Sequence, residues 1–182
     1  MSDLIYMTIQ SLDGYVADER GEFGWGRPDH EVHAFVNDLM RPARTHLYGR
    51  RLYEVLVAWE TMDDPAPEMQ DYAQLWRAAD KVVYSRTLEG VSTERTRLER
   101  EFDAGAVRAL KESSDRDLAI AGPGLAASAF RAGLVDELQL VVAPAIVGGG
   151  TASLPDNVRL DLELVEERRF DGGMAYLRYR TR

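Results

Sequence analysis

The sequence predicts one α/β domain with a mainly parallel central sheet, helices on both faces and a C-terminal antiparallel hairpin. Three observations predict it. Short β-forming runs alternate with segments of helical periodicity from the N-terminus to about residue 143. Several of those runs end in Gly or Arg just ahead of a helical segment, as strands of an open α/β sheet do where they hand the chain to a helix. The last two β-forming runs are joined by Asp171-Gly172-Gly173, a strong hairpin signal. At 182 residues, with no internal repeat and no low-complexity linker, residues 1–182 are expected to form a single domain around one core.

The elements follow in order. Leu4 to Gln10 reads as a strand, and Asp13-Gly14 punctuates the turn after it. A Gly-rich loop runs through Gly21, Gly24 and Gly26. Pro28-Asp29 then starts a helix to Met40, because Val32, Phe35, Val36 and Leu39 recur at spacings of three and four. Thr45 to Tyr48 is a short strand running through Gly49-Arg50-Arg51 into a second short helix. A polar connection, Asp63-Asp64-Pro65-Ala66-Pro67, precedes a helical stretch ending near Ala79. Lys81 to Tyr84 and Thr96 to Leu98 read as strands, Asp103 to Ser113 as a helix, and Asp117 to Ala121 as a buried strand. A helix over Leu125 to Ala132 is closed by Gly133, and Glu137 to Ala143 is strongly β-forming. Gly148-Gly149-Gly150 reads as a flexible turn, and Leu160 to Phe170 and Ala175 to Arg180 are the arms of the hairpin.

Composition narrows the chemistry. The chain has no cysteine, which excludes a disulfide framework, a thiolate zinc site and a cysteine nucleophile, and suits a reducing cytoplasm. A formal net charge of -9 makes it a poor general binder of nucleic acid or anionic membrane. No basic region followed by an apolar run opens the chain and no segment approaches a membrane span, so a cytoplasmic location is expected. There is no G-x-S-x-G, P-loop or H-E-x-x-H.

Three junctions are suited to anions. Gly49-Arg50-Arg51 places two guanidinium groups at a helix start; alone, it reads equally as a solvated Arg pair. Ser85-Arg86-Thr87 follows an apolar strand, and its two hydroxyls and one guanidinium suit a phosphate monoester such as the 2′-phosphate of NADPH, or simply make a polar turn. Gly122-Pro123-Gly124-Leu125-Ala126-Ala127 follows a strand and opens a helix. It matches G-x-G-x-x-A, but no acid stands about 20 residues on, so an anion-binding helix start is expected rather than a Rossmann unit.

Other polar groups could serve a reaction. Asp13 could bring a carboxylate to a site or merely turn the chain. Asp29, His30, Glu31 and His33 cluster at a helix start, where Asp29 could also be an N-cap. His30 and His33 have a metal-like spacing without an obvious third ligand, so no metal is expected. Trp25 and Trp59 could wall a planar ligand.

These segments occur in a recognisable order. Ser11-Leu12-Asp13-Gly14-Tyr15-Val16-Ala17, Leu47-Tyr48-Gly49-Arg50-Arg51-Leu52-Tyr53-Glu54, Val83-Tyr84-Ser85-Arg86-Thr87-Leu88 and Ala121-Gly122-Pro123 come first. Gly133-Leu134-Val135-Asp136-Glu137-Leu138 and Ala143-Pro144-Ala145-Ile146-Val147-Gly148-Gly149-Gly150 follow. Together they resemble the RibD C-terminal-domain family, the reductase module of the riboflavin pathway, within the dihydrofolate-reductase-like superfamily. The resemblance spans nearly the whole chain.

The resemblance implies a three-layer dihydrofolate-reductase-like fold, NADPH as cofactor and a homodimer. It implies that Gly49, Arg50 and Arg51 form the Gly-Arg turn of a cofactor-binding helix. Ser85, Arg86 and Thr87 would hold the 2′-phosphate end, and Ala121, Gly122, Pro123 and Gly124 would lie under the pyrophosphate. Ala121 stands where the family has the first Gly of a pair, and Leu52 where it often has Thr. Asp13 matches the Asp of the family's S-x-D-G motif beside nicotinamide and substrate. Asp29 and His33 are the further catalytic candidates, with Trp25 and His30 as substrate contacts. No deaminase zinc motif is present, so the chain is not expected to be the complete bifunctional enzyme. The expected function is NADPH-dependent hydride transfer to a small heterocycle, most like 5-amino-6-(5-phosphoribosylamino)uracil. The alternatives are a dihydrofolate, pterin or other small-carbonyl reductase, or a non-catalytic NADPH-binding protein.

Overall fold

Near-continuous burial along the central strands, Leu4–Ser11, Thr45–Gly49, Leu118–Ala121 and Glu137–Ala143, builds a sheet that needs helices on both faces. In the computed structural model, which describes residues 2–182, the strands are β1 (Leu4–Ser11), β2 (Tyr15–Ala17), β3 (Thr45–Gly49), β4 (Asp80–Tyr84), β5 (Thr96–Glu99), β6 (Leu118–Ala121), β7 (Glu137–Ala143), β8 (Thr151–Ala152), β9 (Leu162–Arg169) and β10 (Ala175–Thr181). The helices are α1 (His30–Met40), α2 (Arg50–Leu56), α3 (Pro67–Ala78), α4 (Ala104–Ser113) and α5 (Pro123–Arg131), with single 3₁₀ turns at Gly24–Gly26 and Val57–Glu60.

Eight strands form one sheet in the order β5-β4-β3-β6-β1-β7-β10-β9. Pairings from β5 to β7 are parallel, and β10 runs antiparallel to both β7 and β9. The expected α/β class and its C-terminal antiparallel hairpin are therefore the observed ones. Strands β2 and β8, which periodicity did not mark, pair as a separate two-stranded ribbon.

Side-chain alternation sorts the core into layers. Leu4, Tyr6, Leu47, Val82, Leu118, Ile120 and Leu138 face α4 and α5, where Val107, Ala126, Ala129 and Phe130 meet them. Met7, Ile9, Ala119, Val141 and Tyr176 face α1 through Val32, Val36 and Met40. Tyr48 and Val83 face Trp76 of α3 on that same side.

Element ends depart from the sequence reading for identifiable reasons. α1 begins one residue late because Asp29 is its N-cap, accepting from the Val32 amide at 2.9 Å. α5 begins at Pro123, two residues early: Gly122 takes φ +88°, and the fixed φ of proline suits the first helical position. Strand β9 is shorter at both ends than Leu160 to Phe170. Gly148-Gly149-Gly150 is more constrained than a flexible turn. Gly150 has φ +128°, and a Cβ there would overlap the Ala17 carbonyl oxygen at 2.1 Å. Its lack of a side chain lets the loop after β7 pass against the ribbon from β2.

Candidate functional site

The three anion-suited junctions converge because β4, β3 and β6 are neighbours and parallel. Their carboxyl ends lie side by side, where open α/β sheets bind ligands. Arg50 donates from Nη1 to Thr87 Oγ1 at 3.2 Å, joining the start of α2 to the turn after β4. A Cβ on Gly49 would stand 3.8 Å from Leu125 Cβ, which places the α2 start against the α5 start. A Cβ on Gly122 would meet Leu52 at 3.6 Å.

Each junction has its own local chemistry. Ser85 is buried, and its Oγ accepts from the Thr87 and Leu88 amides at 3.2 and 3.0 Å, so the hydroxyl shapes the turn and keeps its proton for a further acceptor. Arg86 is exposed and pairs with Glu101 at 3.1 Å. Arg100 ties the same turn down, donating to the Leu88 carbonyl at 2.6 Å and the Ser85 carbonyl at 3.4 Å. Arg51 is exposed on α2. No side chain caps α5, so the amides of Gly124 and Leu125 face outward at its first turn, and Pro123 has no N–H to leave unpaired. Nothing lies within 4 Å of a Cβ on Gly124.

A second region forms where the loops after β1 and β7 meet. Asp13 is exposed, and its carboxylate accepts from the Gly148 amide at 2.8 Å and the Val147 amide at 3.2 Å. The Ser11 hydroxyl, then these amides, hold its carboxyl below the usual carboxylate range. An anion with both neighbours donating to it is a loop clamp and a poor proton donor.

A third region lies between α1 and α3. His33 of α1, Trp59 of the Val57–Glu60 turn and Tyr72 of α3 meet edge to face. Ring centroids are 6.2 Å apart for His33–Trp59, 5.8 Å for His33–Tyr72 and 4.6 Å for Trp59–Tyr72. Asn37 joins the two helices, donating to the Glu68 carbonyl and the Asp71 carboxylate at 2.8 Å each. His33 Nδ1 is buried and has no hydrogen-bond partner.

The remaining predicted residues divide. His30 pairs with Glu68, whose carboxyl is held below the usual range by its own amide and by the His30 ring. His30 and His33 are thus engaged separately, and among the described residues no three His, Asp or Glu side chains converge as a metal set. The Asp29 carboxylate is committed to the Val32 amide. Trp25 packs on the core beside α1, against which Tyr72 also packs, and on Phe23 at 5.4 Å, with Nε1 buried and unpartnered. Sequence reasoning did not single out Glu68, Tyr72, Arg100 or Glu101.

Comparison with known proteins places these features in context. The sequence pattern of the RibD C-terminal domain matches residues 3–176. Among solved structures, a protein assigned to riboflavin biosynthesis in Shewanella sp. PV-4 is similar over 99% of each chain, with 20% identity and a TM-score of 0.78. The diaminohydroxyphosphoribosylaminopyrimidine deaminase/5-amino-6-(5-phosphoribosylamino)uracil reductase of Thermotoga maritima is similar over 100% of this chain and 57% of its own, with 16% identity and a TM-score of 0.67. Dihydrofolate reductase from Enterococcus faecalis, complexed with NADP(H), is similar over 98% of this chain and 96% of its own, with 13% identity and a TM-score of 0.64. At these identities the likeness is one of fold.

Proposed function

The chain belongs to the RibD C-terminal domain family, and on that premise we propose that it is an NADPH-dependent reductase of a small heterocyclic substrate, acting in the cytoplasm. The observation that carries the reading is the meeting of three anion-suited junctions on adjacent strands, with Arg50 and Thr87 in contact at 3.2 Å.

The donor set fits the cofactor. Arg86, Thr87 and the Ser85 hydroxyl would hold the 2′-phosphate, with Arg50 and Arg51 close by; charged hydrogen bonds to phosphate are the strong ones. The open first turn of α5, with Gly122 at positive φ and space above Gly124, suits a pyrophosphate. Bound there, NADPH would supply a hydride from its nicotinamide ring to a C=N or C=O carbon.

The chain's own residues would orient, shield and deliver a proton. Asp13 would hold the loops after β1 and β7 together as an anion. His33 Nδ1, unpartnered between two aromatic rings, is the better placed proton carrier, with Asp29 occupied as a cap. The most similar reaction in the family is reduction of 5-amino-6-(5-phosphoribosylamino)uracil. Reduction of a dihydropterin or small carbonyl uses the same parts, and a binding protein without turnover would keep the first region alone.

The reading includes a homodimer. Strand β9 is exposed along its whole length. By register, Leu164 lies opposite Tyr179, which lies opposite Leu138, so the apolar layer under α5 continues onto β9 uncovered. Leu164 is 47% exposed. Acids run along the strand (Glu163, Glu166, Glu167) and bases end it (Arg168, Arg169). Leu164→Lys should convert the particle to a monomer in light scattering; an unchanged mass removes this face from consideration.

Calorimetric titration with NADPH and NADH, followed by oxidation assays over pterins, ribosylated pyrimidines and carbonyls, tests the whole. Arg86→Ala should weaken NADPH binding by about 1.5–3 kcal/mol and NADH binding much less. Equal loss for both cofactors would remove Arg86 from the 2′-phosphate. Tight binding without turnover across the panel would favour the non-catalytic alternative.

A further inference from the structure

The turn from Ser85 to Leu88 carries the donors assigned above to the 2′-phosphate, and three side chains shape it. The Ser85 hydroxyl closes it from inside, accepting from the Thr87 and Leu88 amides. Arg50 holds its middle through Thr87 Oγ1 at 3.2 Å. Arg100 holds both ends. A single nitrogen, Nη1, donates to the Leu88 carbonyl at 2.6 Å and to the Ser85 carbonyl at 3.4 Å. Strand pairing puts it there. Tyr84 of β4 lies opposite Glu99 of β5, and the Ser85 amide donates to the Glu99 carbonyl at 2.9 Å. Arg100 is the next residue, so its side chain has only one strand spacing to cross.

This contact has a chemical consequence. A carbonyl oxygen carries partial negative charge, and two of them end the turn that would receive a phosphate dianion. Arg100 engages both and sets a full positive charge against them. It also takes them away from Arg86, whose long exposed side chain could otherwise fold back onto its own turn. Arg86 is left with Glu101 at 3.1 Å, an exposed pair of little strength. Lysine is a poor substitute at such a position, because an ammonium lacks the planar fork that fixes a guanidinium on its acceptors. Arg100 is itself exposed, so its removal opens no cavity in the core.

Resting on the NADPH reading above, we propose that Arg100 is a positioning residue for cofactor choice. It acts through the backbone of the Ser85–Leu88 turn and does not touch the phosphate. By holding the turn in one shape it lets Arg86, Thr87 and the Ser85 hydroxyl tell a 2′-phosphorylated adenine nucleotide from an unphosphorylated one.

The test uses adenosine 2′,5′-bisphosphate and adenosine 5′-monophosphate, which differ only in the 2′-phosphate, titrated calorimetrically into the full chain. The wild type should prefer the bisphosphate. Arg100→Ala should weaken the bisphosphate about tenfold and the monophosphate less than about twofold, with the urea midpoint nearly unchanged. Arg100→Lys should fall between Arg100→Ala and the wild type. Added to Arg86→Ala, the Arg100→Ala change should weaken the bisphosphate less than about twofold further, because a residue acting through Arg86 has nothing left to position. An unchanged preference in Arg100→Ala overturns the proposal, as does an equal loss for both nucleotides. Additive losses in the double variant would make Arg100 a separate phosphate contact, and full recovery in Arg100→Lys would assign the effect to charge alone; either result also overturns it. A wild type with no preference for the bisphosphate would strike the cofactor reading itself and this proposal with it, whereas a preference that survives Arg100→Ala strikes the proposal alone.

Discussion

Arg86 and Glu101 form an ion pair at 3.1 Å across the end of the β4–β5 pairing, and both side chains are exposed. The guanidinium assigned to the 2′-phosphate therefore already has an anionic partner. Such an exposed pair is worth about 0–1 kcal/mol, so a phosphate can displace it.

Removing the competitor should sharpen cofactor choice. Glu101→Gln is expected to tighten NADPH by about 0.5–1 kcal/mol and to leave NADH where it was. Calorimetry with the two cofactors checks it. An equal gain for both would mean Arg86 does not distinguish them.

Two neighbouring glycines should behave differently. Gly122→Ala forces a side chain onto φ +88°, which should cost about 1–3 kcal/mol of stability in urea unfolding. Leu52, at 3.6 Å, is only an ordinary contact, so backbone strain is the cause. Gly124→Ala lies in the first turn of α5 with nothing near its Cβ, and should be neutral or slightly stabilising. It should still weaken NADPH if the pyrophosphate approaches that turn. Unchanged NADPH affinity would move the pyrophosphate elsewhere.

Asp13 offers a test of role. As a clamp, its carboxylate can be replaced by an amide whose oxygen still accepts from the Gly148 amide. Asp13→Asn should keep most turnover with an unshifted pH–rate profile, and Asp13→Ala should lose more, with the loops after β1 and β7 loosened in hydrogen exchange. A pH limb that disappears in Asp13→Asn would return the proton to Asp13.

His46 should set an acid limit on the fold. It is 2% exposed, and its Nδ1 meets the Tyr48 hydroxyl at 2.8 Å. Burial, then the charge of Lys81 paired opposite it in β4, pushes it down from 6.5 to about 4. In the unfolded chain the ring protonates first, so the unfolded state binds the extra proton between those values. Its contribution is complete above about pH 6.5 and is lost as pH falls toward 4, roughly 3 kcal/mol in all. His46→Phe should be less stable at pH 7 but show a flatter decline from pH 7 to 4.5 in urea midpoints. An identical slope would show that His46 is not the group responsible.

Much of this was legible in the sequence because it is local. Gly49-Arg50-Arg51, Ser85-Arg86-Thr87 and Gly122-Pro123-Gly124 each carry their chemistry in three residues, and parallel strand order then brings them together. Asp29 was readable as a cap for the same reason. What was not legible depends on distant pairing. Arg100 reaches the Ser85 turn only because β5 lies beside β4. His33, Trp59 and Tyr72 meet only because α3 packs on α1, and nothing in their spacing of 26 and 13 residues marks them as neighbours. Gly150 looked like slack because the backbone it must clear, at Ala17, lies more than a hundred residues away.

The outer end of the sheet has a consequence for how copies of this chain behave when crowded. The register between β9 and β10 slips at Arg178/Tyr179, so Glu166 and Leu164 find partners and Val165 between them finds none. A free border interrupted in this way offers an incoming strand an uneven row of donors and acceptors. The broad side of the hairpin can be capped once by a matching surface, but its rim is a poor template for endless stacking. Growth by this route is self-limiting: concentrated preparations should reach a fixed size instead of thickening into fibrils.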